Sequence, residues 1–162
     1  MKQLLIMRHA KSSWKEPDIP DHERPLKKRG LKDAATMGKV LKNKEIVLDK
    51  IISSNAVRAA DTAAIVAEKC GYKKDIDFTD KLYMAECQAI LDLIQSQPDK
   101  LKTILVVGHN PGMEALVQLF SKKIESLPTS AIAFFQADIK KWKDFDKKSD
   151  IKLKKVWYAK EQ

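Results

Sequence analysis

Two of the three histidines in this chain stand where a histidine can do chemistry. Leu4-Leu5-Ile6-Met7 is an apolar run that delivers Arg8-His9-Ala10 at its carboxyl end. Far downstream, Thr103-Ile104-Leu105-Val106-Val107 is another, ending in Gly108-His109. Both runs read as buried strands, and open α/β sheets bind ligands beyond the carboxyl ends of their strands. An arginine there offers a guanidinium fork that matches phosphate oxygens bidentately. A histidine beside it, neutral near pH 7, can attack phosphorus once one ring nitrogen is held as N–H by a backbone carbonyl. Neighbouring cations disfavour its protonation. The plainer reading is a polar residue at a loop, and Gly108-His109-Asn110-Pro111-Gly112 is also good turn chemistry. Spacing alone leaves the two readings near balance. His22 lies in a polar loop and reads as surface or pocket rim.

The elements that must position these residues follow from periodicity. Lys11 to Asp21 carries Ser12, Ser13, Pro17 and Pro20 and reads as an irregular loop rimming the site. Pro25 keeps Arg24 extended, so a helix starts after it, with Leu31, Ala34, Ala35, Met37, Gly38 and Leu41 at helical spacing as far as Asn43. Asp49 to Ser54 is a short strand. Asn55 is the expected cap of a helix with Val57, Ala60, Ala64, Ile65 and Ala67 inward and Cys70-Gly71 as its stop. Arg58 falls in that helix's first turn, where the macrodipole favours acids. A bound anion would explain it; on this helix alone, a solvent-facing arginine is the simpler expectation.

Ile76-Asp77-Phe78 reads as an edge strand. Tyr83 to Gln97 contains a helix with Ala89, Ile90, Leu93 and Ile94 inward, stopped by Pro98, and Asn110-Pro111-Gly112 opens a helix carrying Met113, Leu116, Val117 and Phe120. Ser130–Ala137 and Ile151–Tyr158 read as an antiparallel hairpin with a lysine-rich connection. The expectation is one α/β domain over 1–162, a three-layer α/β/α sandwich whose mostly parallel sheet ends in antiparallel strands.

Composition narrows the function classes. The formal charge of +9 is scattered among acids rather than set in a basic stripe with exposed aromatics, which argues against a nucleic-acid binder. It reads as solvated lysines with some steering of phosphorylated ligands. Cys70 and Cys87 are isolated, with no C-x-x-C motif, and read as small buried or half-buried thiols in a reducing cytoplasm. The apolar run after Met1-Lys2-Gln3 is too short for a signal peptide or membrane span, so a cytoplasmic protein without membrane partners is expected.

In a parallel sheet, Arg8 with His9, Ser53 and Ser54 with Arg58, and Gly108 with His109 converge on one edge, near two helix N-termini that suit a phosphoryl group. No cluster of Asp, His and Cys supplies a metal site, so no metal or cofactor is expected. The wider set of motifs resembles the histidine phosphatase (phosphoglycerate mutase-like) superfamily. Arg8-His9-Ala10-Lys11-Ser12-Ser13-Trp14, Arg24-Pro25-Leu26-x-x-Arg29-Gly30, Ser53-Ser54-x-x-x-Arg58-Ala59-x-x-Thr62 and Gly108-His109-Asn110-Pro111-Gly112 resemble its SixA-type branch. The resemblance implies a cofactor-independent phosphohydrolase or mutase that works through a phosphohistidine intermediate, with a phosphoglycerate mutase-like fold. It makes His9 the nucleophile, Arg8 and Arg58 phosphate-binding arginines and His109 the second histidine. Arg24, Ser12 and Asn110 become substrate-binding candidates. The branch implies action on phosphohistidine of a signalling protein, typically a histidine phosphotransfer domain.

Two departures stand out. Ala10 replaces the usual glycine but remains small. Where many superfamily phosphatases carry Leu-x-Glu, whose Glu protonates the leaving oxygen, this chain has Leu82-Tyr83-Met84, and Glu86 lies two residues on. Glu86 is a candidate acid only if the loop is rearranged; an acid in the next helix's first turn is the simpler expectation. General acids contribute roughly 10²–10⁴-fold where an alkoxide leaves, whereas an imidazole leaves with little help. Lack of an acid thus favours phosphohistidine over alcohol phosphates and disfavours a mutase. The alternatives are a small phosphorylated substrate hydrolysed by a phosphomonoesterase, and a phospho-ligand binding module with little turnover.

Overall fold

The computed structural model describes residues 1–123 and 125–162. Its strands are β1 (Lys2–Arg8), β2 (Lys50–Ser54), β3 (Asp77–Thr79), β4 (Thr103–Gly108), β5 (Ile132–Ala137) and β6 (Ile151–Trp157). They form one sheet in the order β3-β2-β4-β1-β5-β6. Parallel pairing joins β1 to β4 and β2 to both β3 and β4, and antiparallel pairing joins β5 to β1 and β6. The helices are α1 (Lys28–Asn43), α2 (Val57–Cys70), α3 (Cys87–Gln95) and α4 (Gly112–Ser121).

Strand residues alternate between the two faces of a sheet, and here both faces are apolar. Leu5, Met7, Ile51, Leu105 and Val107 pack against Met37, Leu41, Ala63 and Val66 of α1 and α2. Leu4, Ile6, Ile104 and Val106 pack against Ile90, Ile94, Met113, Leu116 and Val117 of α3 and α4. A sheet covered on both sides is the three-layer α/β/α sandwich expected from strand-helix alternation, with the C-terminal strands antiparallel. No helix among the described residues is long and apolar enough to cross a membrane.

Several local expectations need correction, among them Ala89, expected inward on α3 but exposed, with Leu91 buried instead. Ala56, not Asn55, is the N-cap of α2, and the Asn55 amide oxygen instead lies 2.9 Å from His22 Nε2. The buried face of α2 is Arg58, Ala59, Thr62, Ala63, Val66 and Ala67, not the stripe through Val57, Ala60 and Ala64. In so alanine-rich a helix periodicity cannot fix the phase, because Ala59 and Ala63 are as apolar as Ala60 and Ala64. Leu31, expected inward on α1, is 47% exposed.

Close packing sets the loop that follows β1. Lys27 N donates to Lys11 O at 2.8 Å, Ser13 N donates to Pro25 O at 2.8 Å, and Ser12 bridges Leu26. Gly30, in the first turn of α1, lies so near the Lys11 carbonyl that a Cβ would collide with it. This clamp brings Arg24 back to the end of β1.

Candidate active site

The carboxyl ends of β1, β2 and β4 open into a cavity of about 420 Å³. Arg8, His9, Ser12, Arg24, Arg58, His109 and Asn110 line it, together with Lys11, Trp14, Asp21, Lys27, Met84 and Thr129. Glu86 is not among them. It is exposed at the N-cap of α3, one position short of the expected first turn, and makes no capping hydrogen bond. Met84 reaches the cavity in its place, held at φ 50°, a left-handed conformation uncommon outside glycine. Gly112 at the start of α4 sits against the Ala85 carbonyl, where a Cβ would collide, so this segment lies close over α4.

Sheet register places the two histidines side by side. Arg8 pairs with Gly108, and His9 N donates to Gly108 O at 3.0 Å. The two rings then lie 5.1 Å apart, centroid to centroid. His9 is 7% exposed, and its Nδ1 lies 2.7 Å from the Ala10 carbonyl. A carbonyl only accepts, so Nδ1 carries the hydrogen and Nε2 keeps its lone pair. Burial pulls the His9 pKa down to about 4; the Ala10 carbonyl opposes this, and Arg58, Arg8 and Arg24 add to it. The cations were expected to keep the ring neutral, but loss of solvent is the larger cause.

His109 Nε2 lies 2.8 Å from Ser54 Oγ, which also accepts the Ala56 N–H at 3.2 Å. Burial, with His9 and Arg58 next, lowers its pKa to about 3. Its Nδ1 and the Arg8 Nε are buried without a hydrogen-bond partner among the described residues. Both histidines are neutral at pH 7.

The arginines are tightly held. Arg58 is 3% exposed, so the solvent-facing expectation fails: the corrected phase of α2 turns it inward. Its Nη1 donates to Asp21 O at 2.7 Å and its Nη2 to Asp21 Oδ2 at 3.0 Å. Arg24 donates from Nε to Ser13 O, from Nη1 to Asp21 Oδ1 and from Nη2 to Ser12 Oγ, with the centroid of the Trp14 ring 3.2 Å from its guanidinium carbon. Ser12 therefore orients an arginine as well as lining the cavity. Asn110 Nδ2 donates to Glu114 Oε2 and Leu127 O, and its Oδ1 accepts the Glu114 N–H.

Five residues with structural parts here have no role in the sequence reading. Thr62 Oγ1 accepts the Ala10 N–H at 3.0 Å and donates to Arg58 O at 2.7 Å, tying β1 to α2. Ser54 orients His109, and Trp14 stacks on Arg24. Tyr83 donates to Asp21 Oδ2 at 2.6 Å, with its ring edge-on to His109. Asp21 joins Tyr83, Arg24 and Arg58; these three hold its carboxyl well below the usual range, Tyr83 most of all, against an opposing effect of burial. Asp21 stands three residues before Arg24, a spacing that could have flagged the pair. His22, read as surface or rim, is half-buried beside Tyr83 and does not line the cavity. Among the described residues, no group of three or more His, Cys, Asp or Glu is placed to hold a metal ion.

This geometry, a neutral histidine among guanidinium groups, can accept and stabilise a phosphoryl group. Comparison with known proteins gives the same class. The family model of the histidine phosphatase superfamily, branch 1, matches residues 4–86. An uncharacterised chloroplastic protein of Arabidopsis thaliana is 30% identical over 153 residues, covering 88% of this chain and 70% of that protein. A candidate phosphohistidine phosphatase SixA from Nakamurella multipartitia superposes with a TM-score of 0.85 at 23% identity, over 97% of this chain and 95% of that one. The protein histidine phosphatase SixA complexed with tungstate gives 0.83 at 20% identity, over 98% of each chain. The chain belongs to the histidine phosphatase superfamily and is by class a phosphatase. Its fold is shared with the SixA structures.

Proposed function

We propose that the protein is a phosphohistidine phosphatase acting on phosphorylated protein, such as a histidine phosphotransfer domain, through a covalent intermediate on His9. The observation that carries this reading is a cavity lining that offers, among the described residues, no protonated carboxylic acid to serve a leaving alkoxide. Among the described residues, Asp21 is the only carboxylate lining the cavity, and its partners keep it ionised. Met84 occupies the rim where an acid would serve an alkoxide.

His9 Nε2 attacks phosphorus in line, and the bond from phosphorus to the substrate imidazole breaks. Protonated on its far nitrogen, that imidazole departs neutral and needs no donor. Phospho-His9, with Nδ1–H still on the Ala10 carbonyl, is the same kind of species. Water then attacks phosphorus, the bond to Nε2 breaks, and neutral His9 and dihydrogen phosphate result, the latter losing a proton to solvent. Arg8, Arg24, Arg58 and the neutral His109 hold the phosphoryl oxygens, so positioning and charge stabilisation supply the catalysis.

Hydrolysis of a phosphohistidine protein compared with alkyl phosphate esters tests the reading, together with trapping of an acid-labile phosphoenzyme. The phosphoramidate should be much the faster substrate, His9→Ala should trap nothing, and Glu86→Gln should keep its rate. Faster alkyl esters with a dead Glu86→Gln would make it a small-molecule phosphomonoesterase. Tight phosphate binding with neither hydrolysis nor a trapped species would make it a binding module.

A further inference from the structure

Asp21 touches two of the cavity's arginines and Tyr83 at once. Its Oδ1 accepts from Arg24 Nη1 at 3.0 Å; its Oδ2 accepts from Arg58 Nη2 at 3.0 Å and from the Tyr83 hydroxyl at 2.6 Å. Its backbone carbonyl takes the remaining Arg58 terminal nitrogen at 2.7 Å. One carboxylate thus bridges two guanidinium groups with one oxygen each, the kind of bridge a bound phosphate makes. The short turn that carries it, Asp21–Glu23, is pinned to the start of α2 by His22 and Asn55.

Two consequences follow from a fixed anion in such a place. Arg24 and Arg58 are 7% and 3% exposed, and buried cations with no counter-charge between them would repel each other and turn toward water. Asp21 therefore keeps them aimed while no ligand is present. Once phosphate enters, the same carboxylate repels it and competes for the same N–H donors. Three arginines without that carboxylate would hold the product phosphate more firmly.

We propose that Asp21 is a positioning residue that holds Arg24 and Arg58 in the empty cavity and limits how tightly the site retains phosphate. The proposal rests on the phosphate-cage reading given above. Its test is calorimetric binding of inorganic phosphate to the full chain, with phosphohistidine hydrolysis measured in parallel. Asp21→Asn should bind phosphate roughly tenfold more tightly, since a charge close to the anion is removed, while its kcat falls. A merely structural role would weaken binding and turnover together, so unchanged or weaker phosphate binding in Asp21→Asn overturns the proposal. Should that variant not fold, Tyr83→Phe serves instead. Freed of the tyrosine, Oδ2 would grip Arg58 harder, and phosphate should bind roughly threefold more weakly; unchanged or tighter binding overturns the proposal. Phosphate binding that is absent in wild type, or that survives Arg58→Ala undiminished, would overturn the cage and the proposal with it.

Discussion

Positive charge is held in two different ways in this chain. At the cavity, Arg24 and Arg58 are almost inaccessible and bonded to Asp21, Ser12 and Ser13. Along the sheet's outer strand β6, Lys152, Lys154 and Lys155 are exposed, and none has a salt-bridge partner among the described residues. The arginines are oriented by acceptors and can recognise an anion's shape. The lysines are hydrated point charges, and on an edge strand they discourage pairing with another chain. Most of the net charge of +9 therefore says little about function; a few immobilised guanidinium groups say much more.

The contrast can be broken by substitutions on either side of it. The largest effect should come from Arg58→Lys: an ammonium cannot reproduce the two donations to Asp21, and phosphohistidine hydrolysis should fall by roughly 10²–10³-fold. A loss under threefold would mean that charge alone suffices. Titration by NMR should show His9 and His109 neutral until about pH 4 and about pH 3. Both values lie below the unfolded value near 6.5, so the unfolded chain binds more protons as pH falls. Stability should be insensitive to these groups above about pH 6.5 and drop from there toward pH 4, with His9 contributing on the order of 3 kcal/mol. Stability flat across that window would refute the burial argument. Thr62→Val leaves the Ala10 N–H unpartnered and should destabilise by about 1–3 kcal/mol in denaturant melts. Least of all, Lys152→Ser with Lys154→Ser should change stability by under about 0.5 kcal/mol each and leave hydrolysis unaltered. A clear loss of rate there would erase the distinction.

How much of this was legible in the sequence depended on whether the signal was local. Apolar runs ending in His9 and His109 mark strand ends, and the α1 and α4 patterns mark helices, because each is written in consecutive residues. The turn of Arg58 toward the cavity is legible from the motif Ser53-Ser54-x-x-x-Arg58 but not from helical phase, since an alanine-rich α2 has no contrast between faces and its neighbours decide the phase. Asp21, Tyr83 and Ser54 went unassigned for a related reason. Each earns its place through a partner distant in sequence, such as Tyr83 for Asp21 and His109 for Ser54. Thr62 ends the motif that begins at Ser53, but its bond to Ala10 N exists only once α2 docks beside β1.

The pairing of Arg8 with Gly108 has one more consequence. Each histidine follows its paired residue by a single peptide, so the distance between the rings is set by the spacing of neighbouring strands and not by the long chain between them. Length is thus free in one place and forbidden in another. Extra residues in the connection after α1, around Glu45, would pass without disturbing the pair. A single residue inserted within β1 or β4 would carry one histidine past the other and turn half a strand's side chains to the wrong face. A scan of one-residue insertions along the gene would therefore show β1 and β4 among its intolerant tracts, each ending at a histidine.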